Sequence, residues 1–230
     1  MSTLTRRLRE KEARRQLILE TAEKIFAQKG FTETPMDEIA RQTELSKGTL
    51  YLYFKSKEEL AFAIFHKNLT TLKQMIQEAA HSSQRGIEKI KAILSAYYQF
   101  YKEHIYGENQ NSCEGPNRQY LNRLLEYFFQ PEQPREAYAE RCFKEIEDIF
   151  SIIVTALENG IQDHTIRKEI DPWKTALTYG NLVLLFMLHL SRQGKLILRG
   201  KDFEAEELFG YMFDLFLHSL EGGERSTVHA

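Results

Sequence analysis

Cysteine is scarce in this 230-residue chain: only Cys113 and Cys142 occur, far apart and in no CxxC pattern. A disulfide framework is therefore excluded, and a reducing cytoplasm fits the composition. Long apolar runs are also missing. The longest, Leu182 to Leu190, is interrupted by His189 and falls far short of the roughly 20 residues needed to span a bilayer. Met1 to Arg15 is polar, with no apolar stretch of the kind a secretory signal needs. The seven histidines are scattered, and no HExxH, GxSxG, glycine-rich phosphate loop or Cys/His pair at catalytic spacing appears. Glu145, Glu147 and Asp148 fall on different helix faces and read as solvent-facing. The chain is thus not expected to be an enzyme, nor to carry a metal or cofactor. A net charge of −2 argues against a non-specific architectural DNA binder, whose affinity comes almost wholly from phosphate neutralisation.

What the chain does have is a substantial core and an uneven charge. Hydrophobic residues make up 42% and charged residues 28%, enough apolar surface to pack and too much for general disorder. Residues 1–57 hold 12 Lys/Arg against 8 Asp/Glu, and the rest holds 19 against 25. A basic head on an acidic body is the asymmetry of a protein that meets phosphate at one end.

The periodicity is helical almost throughout. Ile18, Ala22, Ile25 and Phe26 share one face of a helix from about Arg9 to Lys29, closed by Gly30. Thr34-Pro35-Met36-Asp37 reads as the start of a short second helix with Thr34 as its cap, ending near Thr43. A tight turn leads to Ser46, which caps a third short helix from Lys47 to about Phe54. Ser56-Lys57-Glu58-Glu59 is a capping box opening a long fourth helix to about Ala80, with Leu60, Ile64, Leu69, Leu72 and Ile76 along one side. Further amphipathic segments fall near 86–106, 117–130, 134–159, 172–193 and 203–221. A polar loop separates them at Gly107 to Pro116, a turn at Pro131 and Pro134, and a connector between Gly194 and Gly200. No strand and no repeat is expected.

Two short helices joined by a tight turn and buttressed by longer ones are the parts of a DNA-binding helix-turn-helix. Ile39, Ala40, Leu45, Leu50 and Phe54 supply its inner face, and the small Ala40 lets the helices approach. Lys47 with Tyr51, and Thr49 with Tyr53, form two adjacent rows along the outward side of the third helix.

Ile18-Leu-Glu-Thr-Ala-Glu-Lys-Ile-Phe26, Gly30-Phe31, Thr34, Ile39-Ala40 and Ser46-Lys-Gly-Thr-Leu-Tyr-Leu-Tyr-Phe-Lys-Ser-Lys-Glu-Glu-Leu60 resemble the tetracycline-repressor (TetR) family of bacterial transcription regulators. The match runs over residues 14–64. The stretch from Gly160 through Ile166-Arg167 to Asp171-Pro172 also looks like a junction common in such regulatory domains. The resemblance implies roles by position. Lys47, Gly48 and Thr49 would meet base edges, and Leu52 a base or a thymine methyl. Tyr51, Tyr53, Lys55 and Lys57 would bind phosphates, joined by Thr34 and Ser46 at helix N-termini. Half-buried packing is the other reading of Tyr51 and Tyr53, and a solvated capping turn that of Lys55 and Lys57. Glu44 stands where the family has glycine in the turn. If that backbone is left-handed, it costs on the order of 1 kcal/mol. The basic run Arg6, Arg7, Arg9, Lys11, Arg14 and Arg15 either reaches along DNA or is a solvated helix start.

The expected architecture is all-α: a helix-turn-helix domain over 1–57, linked through a helix over 56–80 to a helical regulatory and dimerisation domain over 58–221. A disordered tail follows at 222–230. Two-fold pairing would let two heads read a palindromic operator. Trp173, Leu177, Leu185, Leu188, Phe209, Met212, Phe213 and Phe216 are the interface candidates, because two peripheral helices need less apolar surface than they offer. Family resemblance makes them a four-helix bundle across a homodimer. It also implies an effector cavity, for which Tyr97, Tyr101, His104, Tyr120, Phe128, Phe150, Tyr179 and Asn181 are candidates, although an aromatic stripe is more often ordinary core. The reading is a cytoplasmic repressor released by a small, mainly apolar or aromatic ligand. The alternative is a thiol- or metal-responsive regulator sensing through Cys113 and Cys142.

Overall fold

Between Thr3 and Lys29 the chain has no glycine and no proline, and strong helix formers dominate; it forms one 27-residue helix, α1 (Thr3–Lys29). The computed structural model describes residues 3–103 and 137–222. Helix α1 starts about six residues earlier than its apolar periodicity suggests. Its first turns are held by local pairs such as Arg6 with Glu10 at 2.8 Å rather than by burial. Gly30 ends it with φ of 85°, and its N–H bonds the Phe26 carbonyl at 2.9 Å.

Helices α2 (Met36–Gln42) and α3 (Lys47–Tyr53) follow, then α4 (Lys57–His81), α5 (Gly86–Tyr101), α6 (Ala137–Gln162), α7 (Pro172–Ile197) and α8 (Ala205–Leu220). Among the described residues no strand forms beyond an isolated antiparallel bridge between Ile166 and Glu221. The chain divides into two compact units, the division falling inside α4 after Leu69 and inside α6 after Lys144. The first unit packs Ile18, Leu19, Ala22 and Phe26 of α1 with Ile39 and Ala40 of α2, Leu50 of α3, Phe54, and Leu60 and Ile64 of α4, all buried. Phe31 covers one end, edge-on to Phe26 at 5.3 Å.

In the second unit α5 packs on α8, and α8 on α7. Tyr101 and Phe209 lie at its centre, 5.6 Å apart. The stretch after Gly160 makes a tight corner. The Gly160 carbonyl accepts from Ile166 N–H at 2.8 Å, and the Asp163 carboxylate accepts from the N–H groups of Gly86 at 2.6 Å and Thr165 at 3.0 Å. Against desolvation, which alone would raise it, the Thr165 hydroxyl, donating at 2.6 Å, and these two N–H groups hold Asp163 below the usual carboxylate range.

Three expectations about local structure need correcting. Thr34 does not cap α2: the N-cap position is Pro35, without a side-chain hydrogen bond, and the Thr34 hydroxyl donates to the Gly30 carbonyl at 2.8 Å. Gly160 lies inside α6 rather than after it, and α7 runs on through Gly194 to Ile197. One glycine costs a helix only about 1 kcal/mol, which helical neighbours outweigh; Gly200, at φ of 72°, is where the backbone turns. The loop at 107–116, the segment at 117–130, the turn at Pro131 and Pro134, and the tail beyond Gly222 lie outside the described residues.

Candidate nucleic-acid interface

The seven-residue α3 is sealed on one side and open on the other. Leu50 is wholly buried and Phe54, at the C-cap, is too, whereas Leu52 is 84% exposed and Tyr51 40%. Lys47 and Gly48 are exposed, and Thr49 and Tyr53 half-buried. Ser46 caps the helix: its hydroxyl accepts from Thr49 N–H at 3.1 Å and meets the Thr49 hydroxyl at 2.8 Å. The turn before it is left-handed at Glu44, with φ of 54°. Leu45 N–H closes the turn on the Ala40 carbonyl at 2.9 Å. Thr43, buried beneath, ties its hydroxyl to the Ile39 carbonyl at 2.8 Å. The exposed Lys47 and Leu52 and the half-buried Thr49 and Tyr53 are thus carried on a turn closed by hydrogen bonds.

The structure adds a partner that spacing did not reveal. Asp37, on α2, pairs with Lys47 at 2.8 Å, both side chains being exposed. Its hydrogen bond and charge raise the Lys47 pKa above the usual lysine value. Lys55 is exposed. Thr34 and Lys57 lie differently from the rest. Thr34 is wholly buried. The half-buried Lys57 donates to the carbonyls of Phe31, Thr32 and Thr34 at 2.7, 3.2 and 3.1 Å, with its ammonium 4.5 Å from the Phe31 ring centroid. It fastens the loop between α1 and α2 from the start of α4, a link across 26 positions that no local pattern announces.

Residues 18–64 match the model of bacterial regulatory proteins of the tetR family. An uncharacterized HTH-type transcriptional regulator of Bacillus subtilis (strain 168), YhgD, is 32% identical over 185 residues, which cover 78% of this chain and 85% of that protein. The chain belongs to the TetR family. This TetR regulator is a DNA-binding transcriptional regulator of the helix-turn-helix type. Its fold is shared with AibR, solved with isovaleryl coenzyme A and operator DNA (TM-score 0.61, 19% identity, 91% of this chain and 98% of that one). It is also shared with FadR of Bacillus subtilis, solved with stearoyl-CoA (TM-score 0.59, 16% identity, 90% and 99%).

In the second unit of the TetR regulator, apolar side chains face outward. Trp173, Leu177, Leu182 and Leu185 on α7 are 46, 45, 53 and 59% exposed, and Tyr211 and Leu215 on α8 are 62 and 56% exposed. Between the two helices runs an open groove of about 360 Å³ lined by Leu182, Phe186, Tyr211, Met212, Phe213 and Leu215, among others. Of the expected interface residues, Trp173, Leu177 and Leu185 are on this face, and Met212 and Phe213 are half-buried in the groove. Phe209 is buried in the unit's own core against Tyr98, Tyr101 and Phe186, whereas Phe216, also buried, stacks on Tyr179 at 3.7 Å where both line the groove. The Leu188 side chain lies outside the described residues.

Of the expected effector residues, Tyr97 and Tyr101 lie on α5, Phe150 on α6, and Tyr179 and Asn181 on α7. Tyr101 is buried and donates its hydroxyl to the Met187 carbonyl at 3.0 Å. Tyr97 is half-buried, and burial pushes its hydroxyl up to about 12. Phe150 packs over Gly180, Tyr179 shares a hydrogen bond with Ser219 at 2.9 Å, and the exposed Asn181 donates to the Leu177 carbonyl at 2.7 Å. His104, Tyr120, Phe128 and Cys113 lie outside the described residues. Cys142 is wholly buried, its thiol 3.6 Å from the Phe62 carbonyl. Glu145 and Asp148, three residues apart on α6, share Lys73 at 2.6 and 3.0 Å, so these two lie on one face and not on the different solvent-facing sides expected. Among the described residues no group of three His, Cys, Asp or Glu is placed to hold a metal ion, and no helix is long and apolar enough to cross a membrane.

Proposed function

We propose that this TetR regulator is a cytoplasmic one-component repressor. It binds a palindromic operator as a homodimer and is released by a small, mainly apolar or aromatic effector. The head is taken as 1–57, joined through α4 to a regulatory body over 58–221. The observation that carries the reading is Leu52, a large apolar side chain 84% exposed on a helix whose other face is sealed. An exposed leucine gains nothing from folding, whereas in a major groove it can meet a thymine methyl. Lys47, Gly48 and Thr49 then address base edges, and Ser46, Tyr51, Tyr53 and Lys55 the backbone. Thr34 and Lys57 act from within, by fixing the loop that orients α2.

The open apolar face of α7 and α8 supports pairing of two copies, which sets the two α3 helices about 34–36 Å apart in successive major grooves. The aromatic residues on α5 to α8, and the two acyl-CoA complexes of the same fold, support an effector with an apolar portion. A useful response needs such a ligand to favour the DNA-free state by roughly 1–3 kcal/mol. The thiol- or metal-responsive alternative gains no support from Cys142, buried on a backbone carbonyl.

The test is transcription in vitro from a promoter carrying the bound site, with and without a series of short- and long-chain acyl-CoA thioesters. The reading expects repression by the protein and relief by at least one ligand. Stimulation by the protein would overturn the sign, and no relief across the series would remove acyl thioesters from the effector class.

A further inference from the structure

The first twelve residues of α1 are not required by the head's own packing. From Thr5 to Arg14 every residue is exposed, yet the helix continues through them. At about 1.5 Å per residue, Arg7 stands some 16 Å beyond Ile18, where burial begins. The location of this extension is fixed at its base. The Arg15 guanidinium lies 5.7 Å from the ring centroid of Phe54, the C-cap of α3, and donates to the Tyr138 hydroxyl at 2.5 Å. Lys29, at the other end of α1, pairs with Glu38 of α2. So α1 passes α2 first and the end of α3 second, and its N-terminal extension overhangs the C-terminal end of α3.

The side on which its charges lie is fixed as well. Arg7, Lys11 and Arg14 stand at i, i+4 and i+7, and the series continues through Ile18, Ala22 and Ile25, which are buried in the head. The stripe that is apolar where α1 covers α2 and α3 is therefore basic where α1 runs past them. Arg6 and Arg15 are engaged with Glu10 and Glu12. Among the described residues, Arg7, Lys11 and Arg14 have no acidic partner.

We infer that Arg7, Lys11 and Arg14 form a second DNA-binding surface that grips backbone phosphates flanking the sequence read by α3. The inference rests on the proposed function for the placement of α3 on DNA. Three cations recurring every 5 Å or so along a rigid rod suit a phosphate backbone. They carry no base-edge geometry, so they add affinity and salt dependence rather than sequence choice.

The test is fluorescence anisotropy at several salt concentrations with two duplexes, an operator and a scrambled sequence. The full-length protein is compared with Arg7→Ala/Lys11→Ala/Arg14→Ala and with Arg7→Lys/Arg14→Lys. Each lost phosphate contact lowers the salt slope by about 0.9, so the triple alanine dimer should lose several units. Affinity at low salt should fall at least tenfold on both duplexes, with the ratio between them unchanged, and the lysine variant should behave as the parent. Equal slopes for the parent and the triple alanine variant would overturn the inference while leaving operator binding intact. A parent that binds both duplexes equally, with a slope still set by these residues, would keep the second surface and overturn the operator reading. A parent that binds neither would overturn both.

Discussion

Leu50 and Leu52 stand two positions apart on α3, and one is wholly buried while the other is 84% exposed. The pair separates what holds the head together from what it presents. Leu50→Ala should cost about 2–5 kcal/mol of stability through the cavity it leaves. Leu52→Ala should leave the melting temperature within about 1 °C, because an exposed side chain away from special features contributes little, and should weaken DNA binding several-fold. Thermal melts and anisotropy on the two variants check both halves. Equal losses of stability would contradict the assignment.

The outward face of α7 and α8 should behave as an interface. Leu182→Glu with Leu185→Glu places two charges on its exposed apolar centre. Sedimentation should then report a monomer of unchanged helicity, and affinity for a two-fold operator should drop by about 10² or more as the second head is lost. A variant that stays dimeric would move the interface elsewhere.

The helix boundaries that were legible in the sequence are those with local signals. Gly30, Ser46 with Thr49, and Ser56 with Glu59, whose N–H bonds the Ser56 hydroxyl at 2.9 Å, each mark an end by chemistry within four residues. The left-handed Glu44 was visible too, because the family's glycine points to it. Features made across long separations were not. Lys57 reads as a phosphate contact, or else a solvated cap, until the fold brings the Phe31, Thr32 and Thr34 carbonyls to it. Phe209 and Phe216 share a periodic stripe with exposed neighbours, and only the packing of α5 and α7 separates core from surface. Glycine misled at Gly194, which reads as the start of a connector and lies inside α7; Gly160, also helical, is needed for a close contact and not for a turn.

That contact gives a sharp expectation. A Cβ on Gly86 would run into the backbone of Gly160, and one on Gly160 into the Ile166 side chain. Gly86→Ala should therefore destabilise by at least about 2 kcal/mol, or roughly 4–8 °C in Tm, with DNA affinity per folded dimer unchanged. A neutral Gly86→Ala would show that α5 and α6 can part here.

Tyr97 supplies a pH signature. Its hydroxyl is raised from 10.0 to about 12 by burial, so the folded state disfavours the phenolate. The stability this contributes is complete below pH 10 and is lost as pH rises through about 12, where the unfolded chain sheds the proton first. Tyr97→Phe should flatten the fall in unfolding free energy over that window by up to about 3 kcal/mol. Parallel curves for parent and variant would place the hydroxyl in contact with water.

Operator binding is tested most directly by anisotropy titration of the purified dimer against the DNA flanking its own coding region, at several salt concentrations and with competitor DNA. The account predicts saturable binding at two protomers per site that survives the competitor and is lost with Tyr53→Ala while the dimer persists. Weak binding equal for every sequence, with only a steep salt slope, would contradict it.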